Sequence, residues 1–387
     1  MARSTREGDR TLVRIAHVVT LVSADGAFGG PLSVALGQVA ELARRGHTMT
    51  LYAGWDGVGT VDLPDNVDVR LHKVRSWMPN AGLAGLISPK MAFEIDARTA
   101  EHDVAHLHQG RDLVSVSAGY MATTRGLPYL VQTHGMIGPD SRRKARILDR
   151  LVTRRVLKRA SQVLSLTEEE DAALDQVVPG LAVTRLRNGI GAAPELPGPD
   201  PAARPVVLFC ARLSRRKRVL AFALLAVELL DRGVDADFVA VGPDEGDLAE
   251  FLTFVESKGR SDRIRYEGAV PPARVRERLA QATVFVLPSV DEPFPMTVLE
   301  ALSVGTPTVV TDSCHIGADL ATRGAVVVSP PAASQLADAV FGLLADPAKR
   351  LAMGEAGRQA VRDAYGIGAV VDQLEGAYEA AVAAVRS

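Results

Sequence analysis

Glu292 and Glu300 stand in the stretch LPSVDEPFPMTVLEALSVG, residues 287–305, with seven residues between them. Pro293 and Pro295 precede an apolar run that predicts a helix from about Met296. A helix start leaves backbone N–H groups unpaired, so those of Met296, Thr297 and Val298 are candidates to hold phosphate or sugar oxygens. Glu300 lies about one turn further, where a carboxylate can accept hydrogen bonds from two vicinal hydroxyls, as on a ribose. The competing reading is two carboxylates on an ordinary amphipathic helix.

A second cluster, FCARLSRRKR at residues 209–218, follows a β-branched run that reads as a strand. Strand ends of parallel sheets open onto ligand crevices, and Arg212 and Lys217 are suited to phosphate by charge and geometry. Arg215, Arg216 and Arg218 are close enough to substitute, and a solvated basic turn is the alternative. Near the amino terminus, Gly29 and Gly30 follow the first strand and open a helix, where backbone can approach an anion. The loop lacks the G-x-G-x-x-G pattern, so dinucleotide binding loses support. His106 and His108 fall on one face of a strand. With His134 they could form a three-histidine metal set, or serve as structural histidines, and no carboxylate pattern nearby supports a metal. Residues 142–159 carry nine basic residues and one acid, Asp149, around the aliphatic Ile147, Leu148, Leu151, Val152 and Val156. Such a helix, with Arg142, Arg143, Lys144 and Arg146 at its start, can lie on an anionic lipid surface or be a solvated helix packed on its sheet. No aromatic residue interleaves the arginines, which argues against nucleic acid.

These residues need a scaffold, and the chain supplies one. At 387 residues it is long enough for two domains or three, with sizeable cores. The 47% hydrophobic and 23% charged content is that of a folded enzyme, and a net charge of −2 leaves no global basic field. Only Cys210 and Cys314 occur, which excludes a disulfide scaffold and points to a reducing, cytoplasmic setting. The amino-terminal apolar stretch is broken by Arg14 and His17 and reads as a strand, not a signal peptide. Residues 219–230, the most apolar, are too few to span a membrane.

Short β-branched runs alternate with helical stretches throughout, the pattern of helix-covered parallel sheets. Strands are expected near 13–19, 48–53, 67–71, 104–107, 128–133 and 162–165, then near 206–210, 238–241, 264–267, 284–287, 308–311 and 325–328. The stretch GIGAAPELPGPDPAARP, residues 189–205, reads as a connector between two α/β units. Domains are therefore expected at 1–195 and 196–366. In the remaining segment, 367–387, Val371, Leu374, Tyr378, Val382 and Val385 share one helical face and could pack back on the first domain.

The E-x7-E pair, set between a strand ending Leu-Pro-Ser and the segment Gly305-Thr306-Pro307, resembles the retaining nucleotide-sugar glycosyltransferases of family 4. The resemblance spans most of the chain. It implies the GT-B fold: two Rossmann-like domains, the first for the acceptor and the second for the donor, with catalysis in the cleft between them. It implies that Glu292 holds the donor sugar and Glu300 the ribose, that Arg212 and Lys217 neutralise the diphosphate, and that Gly29 and Gly30 touch the donor phosphate. His134, in Thr-His-Gly, would sit beside the donor sugar and stabilise charge in the transition state. No protein-bound metal or other cofactor is implied. Pro293 and Pro295 replace both glycines of the usual Glu-Gly-Phe-Gly, and Pro295 has no N–H to donate.

The expected reaction is transfer of a sugar from a nucleotide diphosphate-sugar to a hydroxyl acceptor with retention. No residue pair looks like a dedicated nucleophile and base. The Thr-His-Gly-Met-Ile stretch before a basic helix resembles enzymes of bacterial surface polysaccharides, implying a lipid-linked or saccharide acceptor and a peripheral seat on the cytoplasmic face of the plasma membrane. A nucleotide-sugar 2-epimerase shares the architecture but releases nucleotide without consuming acceptor. A non-catalytic sugar-nucleotide-binding homologue is the other rival, and the intact Glu292, Glu300, Arg212, Lys217 and His134 argue against it.

Overall fold

Parallel strands covered on both faces require nearly continuous apolar sequence, and runs such as VVLFC, VFVL and TVVT meet that requirement and are buried almost end to end. The computed structural model describes residues 11–23, 29–77 and 82–386 and resolves them into two compact α/β units.

The first unit contains residues 11–23, Pro31–Arg187 and the chain from Gly368. Its strands are Arg14–Val22 (β1), Thr48–Trp55 (β2), Asp68–Lys73 (β3), Arg75–Ser76 (β4), Leu86–Ile87 (β5), Val104–His108 (β6), Tyr129–Gln132 (β7), Gln162–Ser165 (β8) and Val183–Arg185 (β9). Among the described residues seven of these form a parallel sheet in the order β3-β2-β1-β6-β7-β8-β9, while β4 and β5 make a small antiparallel pair. The second unit, which takes in Gly29 and Gly30 besides Asn188–Ile367, has Val206–Cys210 (β10), Asp237–Val241 (β11), Ile264–Tyr266 (β12), Val284–Leu287 (β13), Thr308–Thr311 (β14) and Val326–Ser329 (β15). They form a parallel sheet in the order β12-β11-β10-β13-β14-β15. In each sheet the order reverses beside the first strand, β1 next to β6 and β10 next to β13. That reversal opens a crevice at the carboxyl ends of the two strands.

Phe209, Phe222, Phe238 and Phe251 fill the second unit's core beneath those strand ends. Burying each contributes about 1.5–3 kcal/mol, so the loops above are carried by a firm base. In the first unit the helix Ile367–Arg386 seats Val371, Leu374 and Tyr378 in the interior, while Val385 at its far end is exposed. Arg45 fastens this helix through Asp372 (2.6 Å), Glu375 (2.8 Å) and the carbonyl of Gly368 (2.9 Å).

The division falls at Asn188, ahead of the 195/196 boundary expected from the connector's composition. The Ile190 N–H donates to the Tyr365 carbonyl (2.8 Å) and the Ile367 N–H donates to the Ile190 carbonyl (3.0 Å), which ties the start of the connector to the end of the second unit. No helix among the described residues is long and apolar enough to cross a membrane.

Candidate active site

In the second unit the chemistry-bearing residues lie on loops that leave the carboxyl ends of β10, β11 and β13. Lys217 closes the loop after β10, and its ammonium donates to the carboxylate of Glu292 in the loop after β13. Both side chains are nearly sealed, at 12% and 5% exposed, and Arg216 lies 3.9 Å from the same carboxylate. Burial lowers the Lys217 pKa, and the charge of Glu292 works against that shift. Glu292 is fixed through its backbone: its N–H donates to the Ser313 carbonyl (3.2 Å), and its carbonyl accepts from the His315 N–H (3.1 Å).

Among the described residues, the non-glycine positions with left-handed φ are His134 (53°), Arg218 (57°) and Asp291 (49°). Such conformations cost of order 1–3 kcal/mol each and cluster where function demands them. Arg218 directs its guanidinium to the carbonyls of Pro288 (3.3 Å) and Pro331 (2.9 Å), so it braces the loop after β13. Its side chain thereby differs from the phosphate-binding substitute that sequence proximity suggested.

Arg212 pairs with Glu245 (2.8 Å) in the loop after β11, not with the carboxylate that holds Lys217. Sequence reasoning passed over that loop, although Gly-Pro-Asp-Glu-Gly after a strand was its signal. It is seated by the Leu213 N–H on the Pro243 carbonyl (2.8 Å) and the Glu245 N–H on the Leu213 carbonyl (3.0 Å). Gly242 permits this contact: its φ is +137°, and a Cβ there would stand 1.9 Å from the Ala211 carbonyl oxygen.

The helix Met296–Val304 begins directly after Pro295. The Val298 N–H donates to the Pro295 carbonyl (3.1 Å), so of the three amides expected to face a ligand this one is already engaged within the turn. Glu300 lies one turn on. Burial raises its pKa, opposed by the charge of Arg276. Arg276, a residue without any sequence signal, has its own pKa lowered by burial and reaches the Ala192 carbonyl (3.2 Å).

Gly29 and Gly30 open the helix Gly29–Arg44, and a Cβ at Gly30 would meet no atom within 4 Å. The register sets His17 of β1 opposite His106 of β6, with His108 two residues on and therefore on the same face. His134 follows β7, and its Nε2 lies 2.8 Å from His108 Nδ1. His106, His108 and His134 are thus brought together, joined by His17. Among the described residues, the nitrogens that lie within 4.8 Å of one another, the spacing of a metal set, belong to His17, His106 and His108, and His134 is not among them. Burial holds all four imidazoles neutral: His17 and His134 are pushed down to about 3, and His106 and His108 fall well below their ordinary value.

The His134 turn is held from below by Glu170, a buried carboxylate that accepts from the Thr133 hydroxyl, the Gly135 N–H and the Leu166 N–H (2.7 Å). Glu170 belongs to the helix Glu168–Val177, whose N-cap Thr167 accepts from the Glu170 N–H (3.2 Å). The sequence Thr-Glu-Glu-Glu reads as a capping box. Its third glutamate instead reaches outward to support the histidine turn.

The basic segment is helical over Arg143–Leu148 and Arg154–Arg159, joined by a π-turn at Asp149–Thr153. Asp149 is buried against Arg111 (3.0 Å), and Val156 and Leu157 are buried with it. Ile147 and Leu151, two of the five aliphatic residues of the strip, point outward at 55% and 68% exposed, among the exposed Arg146, Arg150 and Arg154. Arg142 pairs with Asp140 (2.6 Å). For Arg143 and Lys144 the side chains lie outside the described structure.

Two family models match this arrangement, the glycosyl transferase 4-like domain over residues 29–189 and glycosyl transferases group 1 over residues 198–360. The chain belongs to the group 1 glycosyltransferases. This glycosyltransferase is 28% identical over 371 residues to the 2-deoxystreptamine glucosyltransferase of Streptomyces kanamyceticus, covering 85% of the chain and 92% of that relative. Its fold is that of sucrose-phosphate synthase from Thermosynechococcus elongatus, with a TM-score of 0.72 at 18% identity over 96% of the chain and 100% of that structure. It is also that of Anabaena HepE in complex with UDP and glucose, with a TM-score of 0.72 at 15% identity over 95% and 99%. These are GT-B structures, and the glycosyltransferase shares their two parallel-sheet α/β units.

Proposed function

We propose that this glycosyltransferase moves a sugar from a nucleoside diphosphate-sugar to a hydroxyl acceptor with retention at the anomeric carbon, in the assembly of a polysaccharide or glycolipid. The observation that carries the proposal is the buried Lys217–Glu292 pair at the reversal between β10 and β13. A lone buried charge is costly, and the neighbouring Glu292 supports the charge of Lys217 until a donor arrives. A diphosphate then offers Lys217 a second anion, and Glu292 turns its other oxygen, beside Arg216, to the sugar hydroxyls.

In the transfer, the bond from the anomeric carbon to the β-phosphate oxygen breaks and the nucleoside diphosphate departs. Lys217 and Arg212 stabilise the charge gathering on that oxygen. The acceptor oxygen bonds to the anomeric carbon on the same face, and its proton passes to the departing phosphate. Glu300 holds the ribose, Met296 and Thr297 offer amides, Gly29 and Gly30 give room at the donor phosphate, and His134 attends the donor sugar. We assign no metal to the step, because the two basic side chains supply the positive charge the leaving group needs.

A uridine donor is favoured by the likeness to HepE, whose structures hold UDP and UDP-glucose. Thermal shift across UDP-, GDP- and ADP-sugars tests the donor, since a ligand at 100 times its Kd adds about 2.7 kcal/mol to stability. No shift with any of them would overturn the reading, and nucleotide release without acceptor consumption would favour an epimerase. For the acceptor, the outward Ile147 and Leu151 ringed by arginines suit an anionic membrane surface and a lipid-linked substrate. Vesicle co-sedimentation should show salt-sensitive binding to anionic lipid that Ile147→Ser with Leu151→Ser weakens, and equal binding to neutral lipid would remove the membrane from the proposal. A small acceptor such as 2-deoxystreptamine belongs in the same assay, because a relative matched over 92% of its length is named for it.

A further inference from the structure

His134 ends a hydrogen-bonded chain that runs through the interior of the first unit. Its Nε2 meets His108 Nδ1 at 2.8 Å, and His108 Nε2 meets His17 Nδ1 at 3.2 Å. His17 Nε2 then meets the Tyr378 hydroxyl at 3.2 Å, and that hydroxyl meets His106 Nδ1 at 2.7 Å. All of these residues except His134 are sealed from solvent, and His106 Nε2, the far end, is buried without a partner. The rings are packed tightly, His106 stacking on His108 and His108 on His134 at centroid distances of 4.7 and 5.0 Å.

A neutral imidazole carries one proton on its two nitrogens, donating from one and accepting at the other. In a chain of neutral rings each link holds one proton, so the choice made at one link is forced on every other. The Tyr378 hydroxyl makes that choice, because it has one proton and two nitrogens to serve. Its 2.7 Å contact with His106 fits an O–H donor, and its 3.2 Å contact with His17 fits an N–H donor. His17 therefore carries its proton on Nε2, accepts at Nδ1 from His108, and His108 accepts at Nδ1 from His134.

We infer that Tyr378, His106, His17 and His108 are positioning residues that fix His134 with its proton on Nε2, so that its Nδ1 presents a lone pair as a hydrogen-bond acceptor. The blind end at His106 means that the chain orients and does not transport protons. The catalytic consequence, acceptance of a hydroxyl proton of the donor sugar at Nδ1, rests on the proposed placement of His134 at that sugar.

Long-range 1H–15N correlation on the full chain labelled with 15N-histidine reads the tautomer of His134 directly. The wild type should show Nε2 protonated and Nδ1 bare, and the reverse would overturn the inference without any variant. In His106→Leu the Tyr378 proton has only His17 left to serve, so all three links should reverse and His134 should become Nδ1-protonated. In Tyr378→Phe the selecting group is gone, and both tautomers should be populated. His134 keeping its wild-type tautomer in His106→Leu would overturn the inference. His17→Gln, with an acceptor oxygen for His108 and a donor nitrogen for Tyr378, should keep the wild-type tautomer where His17→Leu does not. If His134 acts on the donor sugar, kcat/KM falls about tenfold in His106→Leu and recovers in His17→Gln relative to His17→Leu. A reversed tautomer with unchanged kcat/KM would uphold the chain and overturn the placement of His134 at the sugar.

Discussion

Mild acid should unfold the first unit well before it affects the second. His17, His106, His108 and His134 are held neutral by burial, with His17 and His134 pushed down to about 3. In the unfolded chain each titrates near 6.5. Below that value the unfolded state binds protons that the folded state refuses, so stability is complete above pH 6.5 and drains away as pH falls toward 3. At about pH 5.5 each ring favours unfolding by about 1.4 kcal/mol, against less than about 0.1 at pH 7.5. Four rings together remove about 5–6 kcal/mol, comparable with the whole stability of a typical domain. His72 and His102, also lowered by burial, add in the same direction. Carboxylates held low, such as Glu41 beside Arg44 and Arg45, lose their contribution only at more acid pH and stay outside this window. Both tryptophans, Trp55 and Trp77, belong to the first unit, so tryptophan fluorescence in urea follows it alone. The urea midpoint should drop steeply between about pH 7.5 and 5.5. A loss of stability smaller than one ring's worth, about 1.4 kcal/mol, would refute the reasoning, since the rings would then be taking up protons in the folded state.

The proposed site yields four further expectations. Glu300→Gln should weaken donor binding while Glu292→Gln mainly lowers turnover, each by about 1.5–3 kcal/mol of lost charge-assisted hydrogen bonding, and near-native affinity and rate in both would reject the assignment. Glu292→Gln also strips Lys217 of the charge that opposes its lowered pKa, so nucleoside diphosphate binding should fail at lower pH than in the wild type. Alanine at Arg212 or Lys217 should weaken the diphosphate far more than the nucleoside by calorimetry, and equal losses would make these residues supports of the fold. Gly242→Ala, which drives a Cβ into the Ala211 carbonyl, should cost about 3 kcal/mol or more and disorder the Arg212 loop, whereas an unchanged melting temperature would show that the loop can yield.

The fold was legible because parallel strands announce themselves as short apolar runs, and those at 206–210, 284–287 and 308–311 stand where expected. Lys217 and Glu292 were legible as residue types at strand ends, though not as partners, since 75 residues separate them. The supports were harder to read. Tyr378 reaches His17 across 361 residues, and its stripe of helix spells only an apolar face. Glu170 carries no sequence signal of a support, and only the tertiary position of the Thr133–Gly135 turn gives it that use. Arg218 could not be told from its basic neighbours because its role depends on a left-handed backbone and on carbonyls 70 and 113 residues away. The outward turn of Ile147 and Leu151 was not legible because five aliphatic residues make a strip so wide that its edge can face either the interior or solvent.

The anomeric configuration of the product tests the central claim most directly. Incubated with an α-linked nucleoside diphosphate-sugar and its acceptor, the enzyme should yield an α-linked product, read from the anomeric proton by NMR during the first turnovers. A β-linked product would contradict transfer on the departing phosphate's own face and would require a base for which the Lys217–Glu292 site has no candidate.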